Sequence, residues 1–357
     1  SCFEKNLEEI KHFAGNKSAL EFEKFDKFSK DLFGLFKDPI IMNSKPDIFP
    51  VLVNGFKNIK LLKDLLIKNK KLYGYLNENF SDYRLKQLFS RYSTYVGGSP
   101  FNSPSILSLI WHVECQGVWR IAGGMYDLVK QIETISKRSD ASFFYKNKVK
   151  KILMKNNKIN GIELKNNKVI DCDTIIFNGD PKALFDGLLG DEIQNAVSNN
   201  NINKRSLSAY VWSFAAKTQG LDLLHHNVLF NKNYKTEFDD IKRGEIPKDP
   251  TLYICAQGSI NNPRPKEKSL GRFEIIINGS PTYNHKKYNK QKEYTKCKEI
   301  TFSILDSMGL KMDLKPTEEM LTTPKEFEQL FPGSQGSLYG RTPHGISSTF
   351  MRPRNKS

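Results

Sequence analysis

The chain has 357 residues, of which 38% are hydrophobic and 11% aromatic, and its formal net charge at pH 7 is +16. This composition excludes a disordered protein and gives enough material for one large domain or two ordinary ones. The positive charge is scattered, without the basic stripe of a nucleic-acid-binding protein, so no nucleic-acid partner is expected. The 5 cysteines lack metal-ligand spacing, so no metal site and no disulfide framework are expected.

The first third of the chain predicts helices. Residues 4–36 carry apolar side chains at helical spacing, and Gly15 divides them into two predicted helices. Another helix is predicted over 82–96. It leads through a glycine-containing loop at 97–100 into an apolar helix that ends at Glu114.

Residues 57–71 combine a leucine-rich face with surrounding lysines. A basic amphipathic helix of this kind is typical of a segment that lies in a lipid interface, so peripheral membrane docking through residues in 40–76 is predicted. The alternative is an ordinary core-facing helix with a lysine-rich solvent side. No stretch of the sequence approaches the roughly 18 apolar residues of a membrane-spanning helix.

The middle of the chain predicts mostly strands. A helix over 124–138 is followed by three strands joined by asparagine-containing turns, and the third is expected to continue into an apolar strand at Thr174–Phe177. Residues 231–250 are the most loop-like. This alternation predicts an α/β or α+β fold. The remaining predicted elements are strands at 207–217, 227–231, 251–257 and 272–279, and a helix at 287–308 that ends at Gly309.

Glycine and proline are concentrated in Thr323–Lys356. Because glycine permits backbone conformations closed to other residues, this segment is predicted to form shaped loops rather than an ordinary helix or strand. Loops of this kind usually lie against a ligand or another loop.

Four stretches carry a resemblance to a known family: LFSRYSTYVGGSPFNSPSILSLIWHVE (88–114), GVWRIAGGMYDLV (117–129), DTIIFNGDPKAL (173–184) and the terminal block 323–356. In this order they resemble the bacterial phytoene-desaturase-type carotenoid desaturases, with the hydroxy/methoxyneurosporene desaturases as the nearest branch. The resemblance covers roughly residues 80 to 354. It implies an incomplete Rossmann-like flavoprotein fold of the amine-oxidase/phytoene-desaturase type, with an FAD-binding part and an interleaved substrate domain.

On this resemblance, residues 1–114 form a substrate and membrane-associated helical part, 115–195 a partial FAD-binding part, and 196–357 a substrate-binding sheet and helix part. The chain contains no G-x-G-x-x-G motif, which builds the dinucleotide pyrophosphate site. We therefore expect an internal piece that lacks both flavin-binding ends and that binds flavin poorly and is inactive by itself.

The resemblance implies cofactor contacts at Val149, through its backbone, and at Asn178, Gly179 and Asp180, beside the flavin. Two alternatives stay open. Val149 could simply be a buried strand residue, and Asp180 followed by Pro181 is also a good start for a helix.

Aromatic residues in and beside the motifs are candidates for the walls of a polyene channel, since binding a polyene removes a large apolar area from water. Most of them could instead belong to the core. For catalysis, His344 and Arg341 are candidates, with His344 assisting proton removal; the alternative is that both only fix their loop by hydrogen bonds. The candidate channel residues are Tyr95, Phe101, Trp111, Trp119 and Trp212, with Glu114 as a possible polar wall.

The implied activity is FAD-dependent desaturation of a linear carotenoid, in which hydride and a proton leave neighbouring carbons. The implied location is cytoplasmic, on the inner membrane surface, and the oligomeric state is left undefined. The alternatives are a flavin-dependent carotenoid isomerase or saturase, an amine-oxidase-like enzyme, and a non-catalytic carotenoid- or lipid-binding remnant.

Overall fold

The computed structural model describes residues 2–44, 47, 49–56, 70–198, 202, 204–257, 270–284, 289–345 and 348. Within these ranges the chain has a helical part, a three-stranded sheet and a five-stranded sheet, so the predicted mixed α+β composition is confirmed. The basic helix predicted for 57–71 lies outside the described residues except for its last two positions. No described helix is long and apolar enough to span a bilayer.

The helical part begins with a helix that breaks at Gly15, whose φ of +84° is favourable only for glycine. The two helices predicted for 4–36 are therefore confirmed. Short 3₁₀ helices at Arg91–Val96 and Ser105–Ser108 extend the neighbouring helices. The α-helices of this part are α1 (Cys2–Phe36), α2 (Phe49–Phe56), α3 (Leu72–Asn79), α4 (Tyr83–Ser90) and α5 (Leu109–Cys115).

An aromatic cluster holds α1, α4 and α5 together. The Phe22 ring stacks on Phe89 at 5.9 Å between centroids and meets Trp111 edge-on at 5.1 Å. All three side chains are buried, and the indole N–H of Trp111 donates to Asp26 Oδ1 at 2.8 Å. The helical spacing of apolar residues in α1 thus supplies one wall of a closed core.

The three-stranded sheet follows α6 (Met125–Arg138) and consists of β1 (Val149–Lys155), β2 (Lys158–Leu164) and β3 (Val169–Asp171) in antiparallel order. Asn156 and Asn157 form the first turn with φ of +51° and +61°, the conformation that makes asparagine common in tight hairpins. These predicted strands are confirmed.

The predicted strand at Thr174–Phe177 is wrong. These residues have no regular structure and Ile176 is 94% exposed. A strand needs a neighbour for its backbone N–H and C=O groups, and no described strand runs beside this segment. The segment leads instead into the short helix α7 (Pro181–Phe185). Helix α6 buries none of its residues against the described part of the chain.

The five-stranded sheet is antiparallel throughout and contains β4 (Ser208–Gly220), β5 (His226–Leu229), β6 (Leu252–Gln257), β7 (Gly271–Gly279) and β8 (Leu310–Thr322), in the order β5-β6-β7-β4-β8. Trp212 on β4 is fully buried at its centre and contacts Tyr294 and Phe302 edge-on. The predicted strands over 207–279 are confirmed. So is the predicted helix before Gly309, although it begins a few residues later than expected.

In this part of the chain, one sequence prediction is wrong and one strand was not predicted. The loop predicted for 231–250 contains the helix α8 (Tyr234–Lys242), whose buried residues Tyr234, Phe238 and Ile241 have helical spacing. Strand β8 was not predicted. It follows the helix α9 (Lys290–Ser307) directly after the Gly309 turn and pairs with β4.

The terminal block also contains a helix that its composition did not suggest. Helix α10 (Pro324–Leu330) begins with a capping box in which Thr323 Oγ1 accepts from the Glu326 N–H and the Glu326 carboxylate accepts from the Thr323 N–H. Proline at the first helical position adds to this start signal. The expectation that the block avoids helix is therefore wrong for 324–330 and right for the loop that follows.

A buried polar network joins the helical part to the five-stranded sheet. The Gln87 side-chain amide on α4 donates to the backbone oxygen of Asn231 at 3.0 Å and to its Oδ1 at 2.8 Å. Asn231 donates in turn to the buried Glu237 carboxylate, which also accepts from Thr251 N–H and from Asn278. Because these groups lie away from water, each hydrogen bond fixes how the two parts meet.

Candidate cofactor site

The centre of the candidate site is a buried ion pair between Asp180 and Arg205. Asp180 precedes α7, and its Oδ1 accepts from the Lys182 N–H at 2.9 Å, so it caps the helix as its sequence suggested. Its Oδ2 accepts from Arg205 Nη2. The Arg205 and Asp180 side chains are 2% and 8% exposed, so neither charge is satisfied by solvent.

The other donors of Arg205 hold the terminal loop. Its Nε and Nη2 donate to the backbone oxygen of Ser334 at 3.2 and 3.1 Å, and Nη1 donates to the backbone oxygen of Ile202 at 3.4 Å. A single guanidinium thus connects the turn before α7 with the loop after α10. Its planar set of donors suits this task better than an ammonium group would.

Backbone hydrogen bonds extend this connection along the loop. The N–H groups of Ser206 and Thr342 donate to the oxygens of Gly340 and Lys204, each at 2.8 Å. Leu207 N–H donates to Gly97 O at 2.8 Å on the opposite side. Residues 204–207 therefore lie between the two glycine-rich motifs, which are far apart in the sequence.

The Gly97-Gly98 pair is explained by this close packing. A Cβ on Gly98 would lie 2.3 Å from Ser103 Oγ and 2.6 Å from Pro343 Cγ. Gly97 has a φ of +73°, and a Cβ there would lie 2.6 Å from the Tyr339 ring. Both positions need the smallest residue so that the loops can approach each other.

His344 is hydrogen-bonded to the loop at 97–100. Its Nε2 accepts from the Ser99 N–H at 2.9 Å. Burial, followed by the positive charges of Lys71 and Lys204, lowers the pKa of His344 from 6.5 to about 4. The imidazole is therefore neutral near pH 7, and its Nε2 lone pair is used in fixing the loop. The catalytic role of His344 stays a prediction.

A cavity of about 400 Å³ lies beside the ion pair. It brings together three of the four predicted cofactor contacts and one of the two predicted catalytic residues. Its lining combines charged, backbone and apolar groups, the usual mixture of a small-molecule site. The lining residues are Asn178, Gly179, Asp180, Pro181, Ile202, Arg205, Phe331, Ser334, Ser337, Leu338, Tyr339, Gly340 and Arg341.

The remaining predicted cofactor contact and the remaining predicted catalytic residue lie outside this lining. Val149 is the half-buried first residue of β1 and is paired with Leu164 in the three-stranded sheet. His344 contacts the loop at Ser99. The predicted roles of both residues remain without a structural test.

The five predicted channel aromatics are distributed over different parts of the molecule. Trp111 and Trp212 belong to two separate cores, and Phe101 packs between Tyr73 at 4.6 Å and Phe238 at 5.8 Å. These three residues therefore pack in hydrophobic cores, which is the alternative to a channel role that the sequence left open. Tyr95 is partly exposed and Trp119 is 81% exposed. None of the five lines the cavity beside Asp180.

Glu114, the possible polar wall residue, accepts a hydrogen bond from the Tyr92 hydroxyl at 2.9 Å. Sequence reasoning missed Arg205, Ser206 and Ser337, although the two serine hydroxyls are 2.5 Å apart and hold the loop to the segment before β4. A signal for Arg205 was present, because arginine is rare in this lysine-rich chain. Arginine is the residue of choice for a buried ion pair.

Comparison with known proteins identifies the family. No family model matches the chain. It is 39% identical to the hydroxyneurosporene desaturase of Cereibacter sphaeroides over 98% of this chain and 69% of that protein. It is 40% identical to the hydroxyneurosporene desaturase of Rhodobacter capsulatus with the same coverage. The protein is an oxidoreductase of the carotenoid desaturase class. Within that class it belongs to the hydroxyneurosporene desaturase family.

Membership of the hydroxyneurosporene desaturase family confirms the resemblance that the four sequence motifs indicated. Among solved structures, an oxidoreductase from Methanosarcina mazei is similar with a TM-score of 0.46 and 15% identity, covering 83% of this chain and 72% of that one. At this level of similarity the comparison adds nothing to the assignment, which depends on the sequence relatives.

Proposed function

We propose that the protein is an FAD-dependent desaturase of a linear carotenoid and that the cavity beside Asp180 and Arg205 is part of its cofactor site. The observation that carries the proposal is the identity of 39% to a hydroxyneurosporene desaturase across 98% of this chain. The convergence of two of the matching motifs on one cavity supports it. When bound, FAD would supply the two-electron oxidation that converts a C–C bond of the polyene into a C=C bond.

The residues of the cavity fit part of such a cofactor. Apolar Ile202, Phe331 and Leu338 suit the face of a flat ring, and Arg341 suits a polar or anionic edge. Because the chain contains no G-x-G-x-x-G motif, we assign the pyrophosphate to none of these residues.

The chain's own residues hold the walls of this site in place. Asp180 and Arg205 fix the turn before α7 against the loop at Ser334, and Ser206 fixes the same loop at Gly340. His344, which stays neutral, holds the neighbouring loop through Ser99. Rigid support of this kind keeps a cofactor and a substrate in one relative position.

Product analysis tests the activity. The full-length protein would be expressed in a host that accumulates an acyclic carotenoid. A desaturase lengthens the conjugated system and shifts the absorption maximum of the extract to the red. A blue shift would indicate a saturase, a small shift an isomerase, and an unchanged pigment a binding protein. Each of these three results would contradict the proposed reaction.

We also propose that the protein binds the cytoplasmic surface of the inner membrane through residues 57–69. Lysines beside a leucine-rich face support this, since each lysine near an anionic surface contributes about 1 kcal/mol. A carotenoid substrate dissolved in lipid would reach the enzyme there. Lys70 is left out of the binding surface because it forms an ion pair with Glu78.

Liposome flotation tests the membrane proposal. Changing Lys57, Lys60, Lys63 and Lys68 to Glu should abolish flotation with anionic vesicles. The matched control changes four exposed lysines in or next to the strands of the three-stranded sheet to Glu, which alters the net charge equally. Equal flotation of the two variants would contradict the proposal. The control lysines are Lys148, Lys155, Lys158 and Lys168.

A further inference from the structure

We propose that His225, His226 and Cys255 form a binding site for a divalent transition metal of the zinc type. One potential ligand atom from each of these side chains lies within 4.8 Å of those of the other two. The cluster is at the edge of the five-stranded sheet, on strands β5 and β6 and the residue before β5, and it is separate from the cavity beside Asp180.

The sheet register creates the cluster. His226 is directly opposite Cys255 in the β5–β6 pair, so their side chains lie on one face. The preceding residue, His225, is held against β6 because its backbone oxygen accepts from the Ala256 N–H at 2.9 Å. The histidines are about thirty positions from the cysteine in the sequence, which is why ligand spacing did not reveal the site.

One distance in the cluster is close to that of a tetrahedral metal site. Bonds of about 2.0–2.3 Å to nitrogen and sulfur place neighbouring ligand atoms roughly 3.3–3.8 Å apart. Cys255 Sγ and His225 Nε2 are 3.9 Å apart. A side-chain rotation that shortens this distance by a few tenths of an ångström is enough to bring the pair to the bonding geometry.

The second ring nitrogen of each histidine has a partner that orients the ring. His225 Nδ1 lies 3.2 Å from the backbone oxygen of Ala256, which can only accept, so Nδ1 carries the proton and Nε2 has its lone pair directed towards Cys255. His226 Nδ1 lies 2.7 Å from the Tyr253 hydroxyl, which leaves Nε2 as the potential ligand. Metal-binding histidines in proteins are usually supported in this way.

The ligand set indicates the kind of metal. A thiolate with two imidazoles selects zinc-type ions over magnesium or calcium, which prefer oxygen. Three protein ligands leave a fourth position for water or for Glu274, which is opposite Cys255 on β7. His226 is exposed, so an ion can enter from solvent. The bound metal would connect the start of β5 to β6.

Cobalt binding to the untagged full-length protein tests the site. We expect a Co²⁺ complex with a thiolate-to-cobalt charge-transfer band that Zn²⁺ displaces. Cys255→Ser should remove the band, and His226→Ala should weaken Co²⁺ binding at least tenfold. Tyr253→Phe, which removes only the supporting hydroxyl, should weaken it by about tenfold.

Two control variants change residues outside the cluster, His12→Ala in α1 and Cys172→Ser after β3, and both should bind as the unchanged protein does. His226 is exposed, so its replacement leaves the core intact. The site would be disproved if no charge-transfer band developed, or if the band survived in Cys255→Ser. Equal loss in Cys172→Ser would also disprove it, because the thiolate ligand would then be elsewhere.

Discussion

Arg205 and Asp180 form a buried ion pair that joins the turn before α7 to the loop after α10. Asp180 lies in the motif at 173–184, and Ser334, which accepts from Arg205, lies in the terminal block 323–356. Arg205 belongs to neither motif and connects the two. Its two charges are shielded from water, so each depends on the other for compensation.

Removing one member of this pair should be costly. Arg205→Met leaves the Asp180 carboxylate buried without its partner, and the free energy of unfolding should fall by about 3–5 kcal/mol. The double variant with Asp180→Asn should recover part of the loss, because no charge is then left unpaired. Urea denaturation measures both.

The matched control for this prediction is the exposed pair Lys235–Asp239, whose side chains are 64% and 44% exposed. Lys235→Met should change stability by less than about 1 kcal/mol. Equal effects of the two single variants would contradict the role given to Arg205.

Adding one methyl group should have opposite effects at Gly98 and Gly34. Gly98→Ala places a Cβ against Ser103 and Pro343 and should destabilise the protein by about 1–3 kcal/mol. Gly34 lies in α1 with nothing within 4 Å of an added Cβ, so Gly34→Ala should stabilise it by about 0.5–1 kcal/mol. Thermal unfolding distinguishes the two signs, and a stabilising Gly98→Ala would refute the packing of the two loops.

His344 should make stability depend on pH. Its pKa is lowered from 6.5 to about 4 in the folded chain, so the unfolded chain binds more protons between these values. The contribution of the neutral imidazole is complete above pH 6.5 and is lost as the pH falls towards 4. At about 1.36 kcal/mol per unit, the loss is on the order of 3 kcal/mol.

The measurement compares urea unfolding of the unchanged chain and of His344→Gln at pH 7 and pH 4. Glutamine keeps a neutral acceptor for the Ser99 N–H at both values, so the variant should lose less stability on acidification. Parallel pH profiles of the two proteins would show that the imidazole is not buried as described.

Gln87 should carry part of the contact between the helical part and the five-stranded sheet. Gln87→Leu leaves the backbone and side-chain oxygens of Asn231 without this donor, which should cost about 1–3 kcal/mol. The neighbouring exposed residue provides a control, and Tyr83→Leu should have little effect. If Gln87→Leu were neutral in urea denaturation, water would have to satisfy Asn231.

Local sequence rules predicted the elements whose signals are local. The break at Gly15, the asparagine turn at 156–157 and the apolar alternation of β4 and β7 each depend on a few adjacent residues. The helix at 324–330 also had such a signal in its capping box, but the surrounding glycine and proline content outweighed it. The strand expected at 174–177 failed because strand formation needs a partner, which no local pattern supplies.

The candidate site was predictable only in part for the same reason. Resemblance to the family marked Asp180 and Arg341, and the structure places both at one cavity. Arg205 lies in no motif, and its role follows from a contact with a residue 25 positions earlier. The metal cluster at Cys255 depends on strand register, which the sequence does not specify directly.

Filling the cavity of the full-length protein tests most directly whether flavin binds beside Asp180 and Arg205. Leu338→Trp places a larger side chain in the cavity lining, and Leu330→Trp makes the same change at an exposed position of α10 outside it. In a carotenoid-accumulating host, the proposed cofactor site predicts that Leu338→Trp loses bound flavin and the red-shifted product, whereas Leu330→Trp retains both. Full flavin content and unchanged desaturation in Leu338→Trp would contradict it.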